Sequence, residues 1–347
     1  MLVTRSVLPP PTSSETTEGG GQGQWILVET LGAEPSAVAV GDRPKRLVPL
    51  RSVLRRNPNL SFLTALLKDA GKLEGGVRAF PLRGDRVAHV NPVATDDGHV
   101  HGAQFWIGER DQDPPPRPPG AAWLWNLSTH ESISGEESRR AVGVAPELWR
   151  PRRSIAEDFE LFTPAIDELE AFVVAAHWQA DKVFTSAWAC VLPVEKPVYL
   201  QFAARRTDEP DDAGRVERLL RGVSTSVTLP PRAEPQQDTI AQQLIVAERA
   251  PGTHRALVNL RNLLIWRWWD DPLPGLLWRH TADGRPAIHP DDIEKAKAAR
   301  AAVAQGEVSV ILRARAEGGG WIAVRMTANL VNTQQAASAA FVALSLA

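Results

Sequence analysis

The chain has 347 residues, a net charge of −2 and 43% hydrophobic residues. That length exceeds one ordinary domain and predicts two or three, each with enough apolar content for a packed core. The near-zero charge without a long basic run argues against a nucleic-acid surface. The single cysteine, Cys190, excludes an intrachain disulfide, and no apolar run reaches membrane-spanning length.

Residues 1–23, rich in Pro, Ser, Thr and Gly, read as a disordered arm. Trp25–Thr30 reads as a strand with Ala37–Val40 as its hairpin partner. A helical stretch runs from Pro49 through Leu54. A second helix is capped at Asn59 or Ser61, with Phe62, Leu63, Leu66 and Leu67 on its buried face and Gly71 as its stop. Val77–Leu82, Arg86–Val93 and His101–Ile107 are strand-like, and Gly84 and Asp97–Gly98 supply turns. The proline-rich 111–120 reads as an extended, stiff linker.

A second unit opens with the strand Trp123–Leu127, and Ser132–Ser134 leads into the next. A helix over 164–176 carries the stripe Ile166, Leu169, Phe172 and Val173. The strands Val183–Leu192 and Val198–Arg205 follow. Asp208–Arg215 is expected as an acidic loop, Val216–Val223 as a short helix, and 208–238 as a linker. A helix over 240–248 and a Trp266-led strand then open the last unit, with Leu257–Leu264 readable as helix or strand.

The clearest patterning lies in Ile288–Ala328. With His289 as N-cap, Pro290 takes the first helical position, where its missing N–H costs nothing. Asp291 and Asp292 face the positive end of the helix dipole, and Ile288 can staple onto Ile293. Ile293, Ala296, Arg300 and Val303 recur at helical spacing, and Gly306 stops the helix. Val308, Val310, Leu312 and Ala314 then alternate with polar neighbours. Gly318–Gly320 turn the chain, and Trp321–Ala328 alternates again, with Phe341–Leu346 as a last strand.

This acidic-capped helix, the arginine-bearing strand, the glycine turn and the Trp-led strand resemble the second half of a PAS domain. PAS domains are small sensor modules with helices on one face of an antiparallel sheet. The resemblance implies an α+β chain of three tandem PAS/GAF-like domains, at 24–110, 121–207 and 239–347. In each a Trp-led strand, at Trp25, Trp123 or Trp266, is followed by a helical middle and a strand-rich end, and PAS and GAF remain undistinguished in the first two. The whole arrangement is similar to an actinobacterial family of triple sensor-domain proteins without an output domain.

No hydrolase, P-loop, zinc-protease or dinucleotide motif is present, and no kinase, cyclase-type or helix-turn-helix output segment is recognisable. The expectation is therefore a non-catalytic cytoplasmic sensor or regulatory adaptor, with no catalytic residues, no nucleic-acid partner and no membrane insertion. It would bind a small ligand, an unspecified protein partner in signalling, or both. A pure interaction scaffold with filled cores is the alternative, and an enzyme with an unfamiliar site stands behind both. Candidate ligand-cavity residues are His177, Trp188, Cys190, Trp266 and Trp278. His99 and His101 form a weak metal pair with no third ligand signalled nearby. The cysteine motif of flavin-binding light sensors is absent, so no cofactor is assigned.

Overall fold

A computed structural model describes residues 23–73, 76–163, 182–190, 198–228, 251–260, 262–281, 285–330 and 339–347. The expected helices over 164–176 and 240–248, His177, the N-terminal arm up to residue 22 and the polar break near Asn332 lie outside these residues. The described residues form three antiparallel sheets.

The first sheet has strands β1 (Ile26–Glu29), β2 (Ser36–Val40), β3 (Arg43–Pro49), β4 (Arg78–Leu82), β5 (Arg86–Ala94) and β6 (Val100–Glu109), ordered β3-β2-β1-β6-β5-β4. Helices α1 (Leu50–Val53) and α2 (Leu60–Lys68) lie between β3 and β4. Leu50, Leu54, Leu63 and Leu67 from this helical segment pack with Ile26, Val28, Ala103 and Phe105. Each fully buried leucine there contributes about 1.5–3 kcal/mol. Phe62, expected on the buried face, is 47% exposed. The helix has only nine residues, and Leu63 and Leu67, one turn apart, supply its buried contact.

The second sheet adds β7 (Gly120–Asn126), β8 (Glu131–Ser134), β9 (Arg152–Ser154), β10 (Phe162–Thr163), β11 (Val183–Cys190), β12 (Tyr199–Pro210) and β13 (Val216–Val227). Its order is β10-β11-β12-β13-β7-β8-β9. Helices α3 (Glu136–Val142) and α4 (Ile155–Leu161) were not foreseen. Nor was β13, where a short helix was expected. It pairs with β12 along its whole length and with β7 on the other side. Its middle, Leu219–Thr225, is buried at every position, so the alternation that marks a half-exposed strand is missing. The expected acidic loop shrinks to a tight turn, in which the Asp211 carboxylate accepts from the N–H groups of Ala213 and Arg215 at 2.9 and 2.7 Å. Residues 208–210 and 216–227, within the stretch read as linker, are strand.

Contacts divide the chain into two compact units. One comprises Met1–Leu127, Ser132–Pro151 and Leu161–Leu229, and the other Ser128–Glu131, Arg152–Glu160 and Pro230–Ala347. Within the first unit, the face of the first sheet turned away from its helices packs on the second sheet. Leu27, Val38 and Val93 meet Ala122, Ala203 and Val223 there. The proline-rich 111–120 is held down rather than spanning freely. Trp25 Nε1, Gln104 Nε2 and Thr225 Oγ1 donate to the carbonyls of Pro115, Pro118 and Pro119 at 2.8, 2.9 and 2.7 Å.

In the second unit, β14 (His254–Asn259), β15 (Ile265–Trp268), β16 (Val308–Arg315), β17 (Trp321–Leu330) and β18 (Ala339–Leu346) are ordered β15-β14-β18-β17-β16. Trp266 thus sits in the second strand, and His254–Asn259 opens the sheet. Helix α5 (Ile293–Ala302) follows one turn of 3-10 helix at Pro290–Asp292. His289 is the N-cap of that 3-10 turn, and its Nδ1 accepts from the Asp291 N–H at 3.2 Å. Ala296 and Val303 face the core, whereas Ile293 is 42% exposed, so no buried staple forms with Ile288. The acidic pair also guards edge strand β16. Asp292 accepts from Arg313 N and Nε at 2.8 and 2.9 Å, His289 N donates to Arg313 O, and Lys295 Nζ donates to Ile311 O.

All three sheets contain the same five-strand core. Counting from the first strand of each, the order is second, first, fifth, fourth, third: β2-β1-β6-β5-β4, β8-β7-β13-β12-β11 and β15-β14-β18-β17-β16.

Candidate functional site

The inner face of the C-terminal sheet holds two adjoining apolar cavities. On β17, Val324 and Met326 alternate inward with Ile322 and Ala328, so one strand supplies a row of apolar side chains to the core. The first cavity leaves about 40 Å³ for the centre of a water-sized sphere. Its walls include Ile265, Leu276, Trp278, Ile288, Val324 and Leu344. The second leaves about 30 Å³ beneath α5, among Val258, Ala296, Val303, Leu312 and Val342. Leu263 and Met326 line both and form the partition between them. Leu263 adopts φ +58°, a conformation that a branched side chain rarely takes. The preceding Asn262 braces the turn, its Oδ1 accepting from Leu264 N at 3.1 Å.

Among the described residues Arg300 is the only charged side chain on either wall, and it is exposed. The described walls therefore hold no acid, base or nucleophile. Such apolar linings suit apolar guests. Each cavity is far below the roughly 300 Å³ of a cofactor pocket.

Of the described residues singled out from the sequence, Trp278 lines the first of these two cavities and Trp188, Cys190 and Trp266 line neither. Trp278 is buried, edge-on to Trp268 at 6.0 Å, with the Arg279 guanidinium 4.5 Å from its ring centre. Trp266 is buried elsewhere in the same unit, 6.0 Å from the ring of His130. His130 was not foreseen. It has φ +64°, its Nε2 is buried without a hydrogen-bond partner among the described residues, and burial together with nearby His280 pushes its pKa down to about 3. Trp188 belongs to the aromatic packing of the middle sheet, 4.9 Å from Phe202. Cys190 lies two residues on in β11, and burial pushes its thiol up to about 12, so it stays protonated.

His99 and His101 sit with ring centres 5.9 Å apart. Val93 pairs with Gly102 and Ala94 with Val100, so His101 is the extra residue of a β-bulge. Both of its nitrogens are engaged: Nδ1 with Gly222 O at 3.0 Å and Nε2 with Arg221 at 3.2 Å. Arg221 also grips Glu209 through two bonds of 2.7 and 2.8 Å. Among the described residues no group of three metal-ligating side chains occurs.

Comparison with known proteins follows the same division of the chain. Models of the Rv3651-like N-terminal, middle and C-terminal domains match residues 24–116, 119–227 and 238–347. A crystal structure of an uncharacterized protein from Mycobacterium tuberculosis is similar along 94% of this chain and 97% of that one, at 30% identity and a TM-score of 0.80. The chain belongs to the Rv3651-like family. The three-domain order of that family is the order of the three sheets here. An RNA-binding Light-Oxygen-Voltage receptor covers 65% of this chain and 95% of its own, at 10% identity and a TM-score of 0.24, and adds nothing to the assignment. None of the curated proteins matches.

Sequence reasoning missed Leu263 as part of the partition because its conformation follows from the fold around it. Met326 was legible as an inward position on β17, but its place between two voids was not. Arg221 and Glu209 were hidden by the misreading of β13 and of the turn before it.

Proposed function

We propose that this Rv3651-like chain is a non-catalytic regulatory adaptor built from three PAS- or GAF-like sensor domains, and that its C-terminal domain accepts a small apolar ligand. The paired cavity on the inner face of the C-terminal sheet carries this reading. It lies between sheet and helix, is lined by hydrocarbon, and is divided by a methionine, a flexible side chain that adapts to guests of different shape. The shared five-strand order supports the PAS-like comparison, since it follows from two strands, a helical middle and three strands. Ligand entry would displace Met326 and shift the balance of conformations at α5, the helix that roofs the second cavity.

The chain's methionines make the test direct. Only Met1 and Met326 are present, so a chain labelled with carbon-13 at the methionine methyls gives two signals. Native mass spectrometry of protein purified from its own host, beside a denatured control, would give the mass of a non-covalent guest. Addition of that guest to the labelled apo chain should move the Met326 signal and leave Met1 in place. A bare native spectrum, with a Met326 signal indifferent to small hydrocarbons, would overturn the reading in favour of an interaction scaffold.

A further inference from the structure

The N-terminal domain carries a charge asymmetry that the ligand reading does not use. The chain as a whole is slightly acidic, yet Arg43, Lys45, Arg46, Arg51, Arg55, Arg56 and Lys68 follow one another with no Asp or Glu between them. The structure gathers part of this run. Arg55 and Arg56 occupy the turn between α1 and α2, and both are exposed. Asn59, 4% exposed, closes that turn: its Oδ1 accepts from the Arg83 N–H at 2.9 Å. This bond fixes the exposed β4–β5 turn, and Arg83 with it, beside the same corner. Among the described residues Arg55, Arg56 and Arg83 form no ion pair. Arg51 has Glu34 at 3.6 Å.

An apolar element follows the charge in the chain. Phe62, one turn into α2, is 47% exposed, and half-buried Leu66 lies one turn further on the same face. An exposed aromatic on the helix that follows exposed guanidinium groups gives the composition of a surface that rests at the boundary of headgroups and acyl chains. Each arginine there is drawn to an anionic leaflet.

We propose that the Arg55–Arg56–Arg83 corner, with Phe62, is a peripheral docking surface for anionic phospholipid membranes. This goes beyond the ligand reading and does not depend on it. A chain of net negative charge is repelled from an anionic bilayer unless such a patch faces it, so binding by this protein would be orientation-specific.

The test is co-sedimentation of the full chain with vesicles of phosphatidylcholine alone and with about one-third phosphatidylglycerol, at low and at high salt. Binding is expected to the anionic vesicles only and to weaken with salt. The double variant Arg55→Glu/Arg56→Glu should lose at least about tenfold in partitioning. The matched charge change Arg140→Glu/Arg215→Glu, at exposed positions elsewhere, should change it little. Phe62→Ser should weaken the binding that survives high salt. The proposal is overturned if the anionic vesicles leave the chain in solution, or if both double variants bind equally well. It is also overturned if a single-stranded oligonucleotide binds through Arg55 and Arg56 while vesicles do not, which would assign the corner to nucleic acid.

Discussion

Arg221 directs a guanidinium N–H at Nε2 of His101, 3.2 Å away, and thereby fixes the imidazole in its neutral form with the proton on Nδ1. That proton goes to the carbonyl of Gly222, the next residue along β13. One strand thus supplies both partners of a buried histidine on another sheet.

The pH dependence of stability follows. Burial, aided by the Arg221 charge, lowers the His101 pKa from 6.5 to about 4. The unfolded chain therefore takes up a proton that the folded chain refuses. Stability from this group is complete above pH 6.5 and is lost as pH falls from 6.5 to 4, by about 3 kcal/mol in all. Denaturant midpoints measured at pH 7 and pH 5 should differ, and His101→Gln should flatten the difference. The His101 ring signal should show no titration above pH 5.

Removing Arg221 should affect the opposite partner. The Arg221 guanidinium holds the Glu209 carboxyl down to about 2, against an ordinary 4.5. That contribution is present above pH 4.5 and disappears as pH falls toward 2. Glu209 is one-third exposed, which limits the pair to about 1 kcal/mol. Arg221→Met is expected to return the Glu209 pKa to the normal range, read by carboxyl carbon NMR, and to free His101 to titrate nearer neutrality.

Gly222 tolerates no side chain. It pairs with Trp123 across β13 and β7, and an added Cβ would lie 2.2 Å from the indole. Gly222→Ala should cost about 1–3 kcal/mol through overpacking and shift the tryptophan emission. Differential scanning calorimetry would check the first effect and fluorescence the second.

Met326→Ala should join the two C-terminal cavities. The side chain is 8% exposed, so truncation is expected to destabilise by about 2–4 kcal/mol. Xenon or a small hydrocarbon should then recover part of the lost melting temperature, an effect absent from a variant on the exposed face such as Ile311→Ala.

Asp292→Asn would unlock the sheet edge. Arg313 holds the Asp292 carboxyl well below the usual range, and the carboxylate in turn occupies the Arg313 amide. Hydrogen exchange at the Arg313 amide should accelerate by at least about tenfold in the variant, while amides of β18 stay protected.

What the sequence disclosed depended on how many faces of each element are covered. The hairpin β16–β17 alternates because one face meets the core and the other carries Ile311, Arg313 and Arg325, so its period-two pattern survives. In β13 both faces are covered, and Leu219, Leu220, Arg221, Gly222 and Val223 carry no period to read. His289 was legible as a cap from the proline and acids after it. His101 was misleading as a metal candidate, since alternate residues of a regular strand share a face whereas the bulge re-aims this ring toward Gly222. The cavity partition at Leu263 depends on a backbone conformation that no local residue type announces.

The sheet-to-sheet contact within the first unit bears on how the chain can be cut. A fragment ending near residue 116 would match one family segment in full, yet it would expose Leu27, Val38 and Val93 to water and abandon His101 without Arg221. The reciprocal fragment would strand a buried arginine. Inherited segment and autonomous folding piece do not coincide here, and recombinant versions of either half alone are expected to precipitate where the joined pair stays in solution.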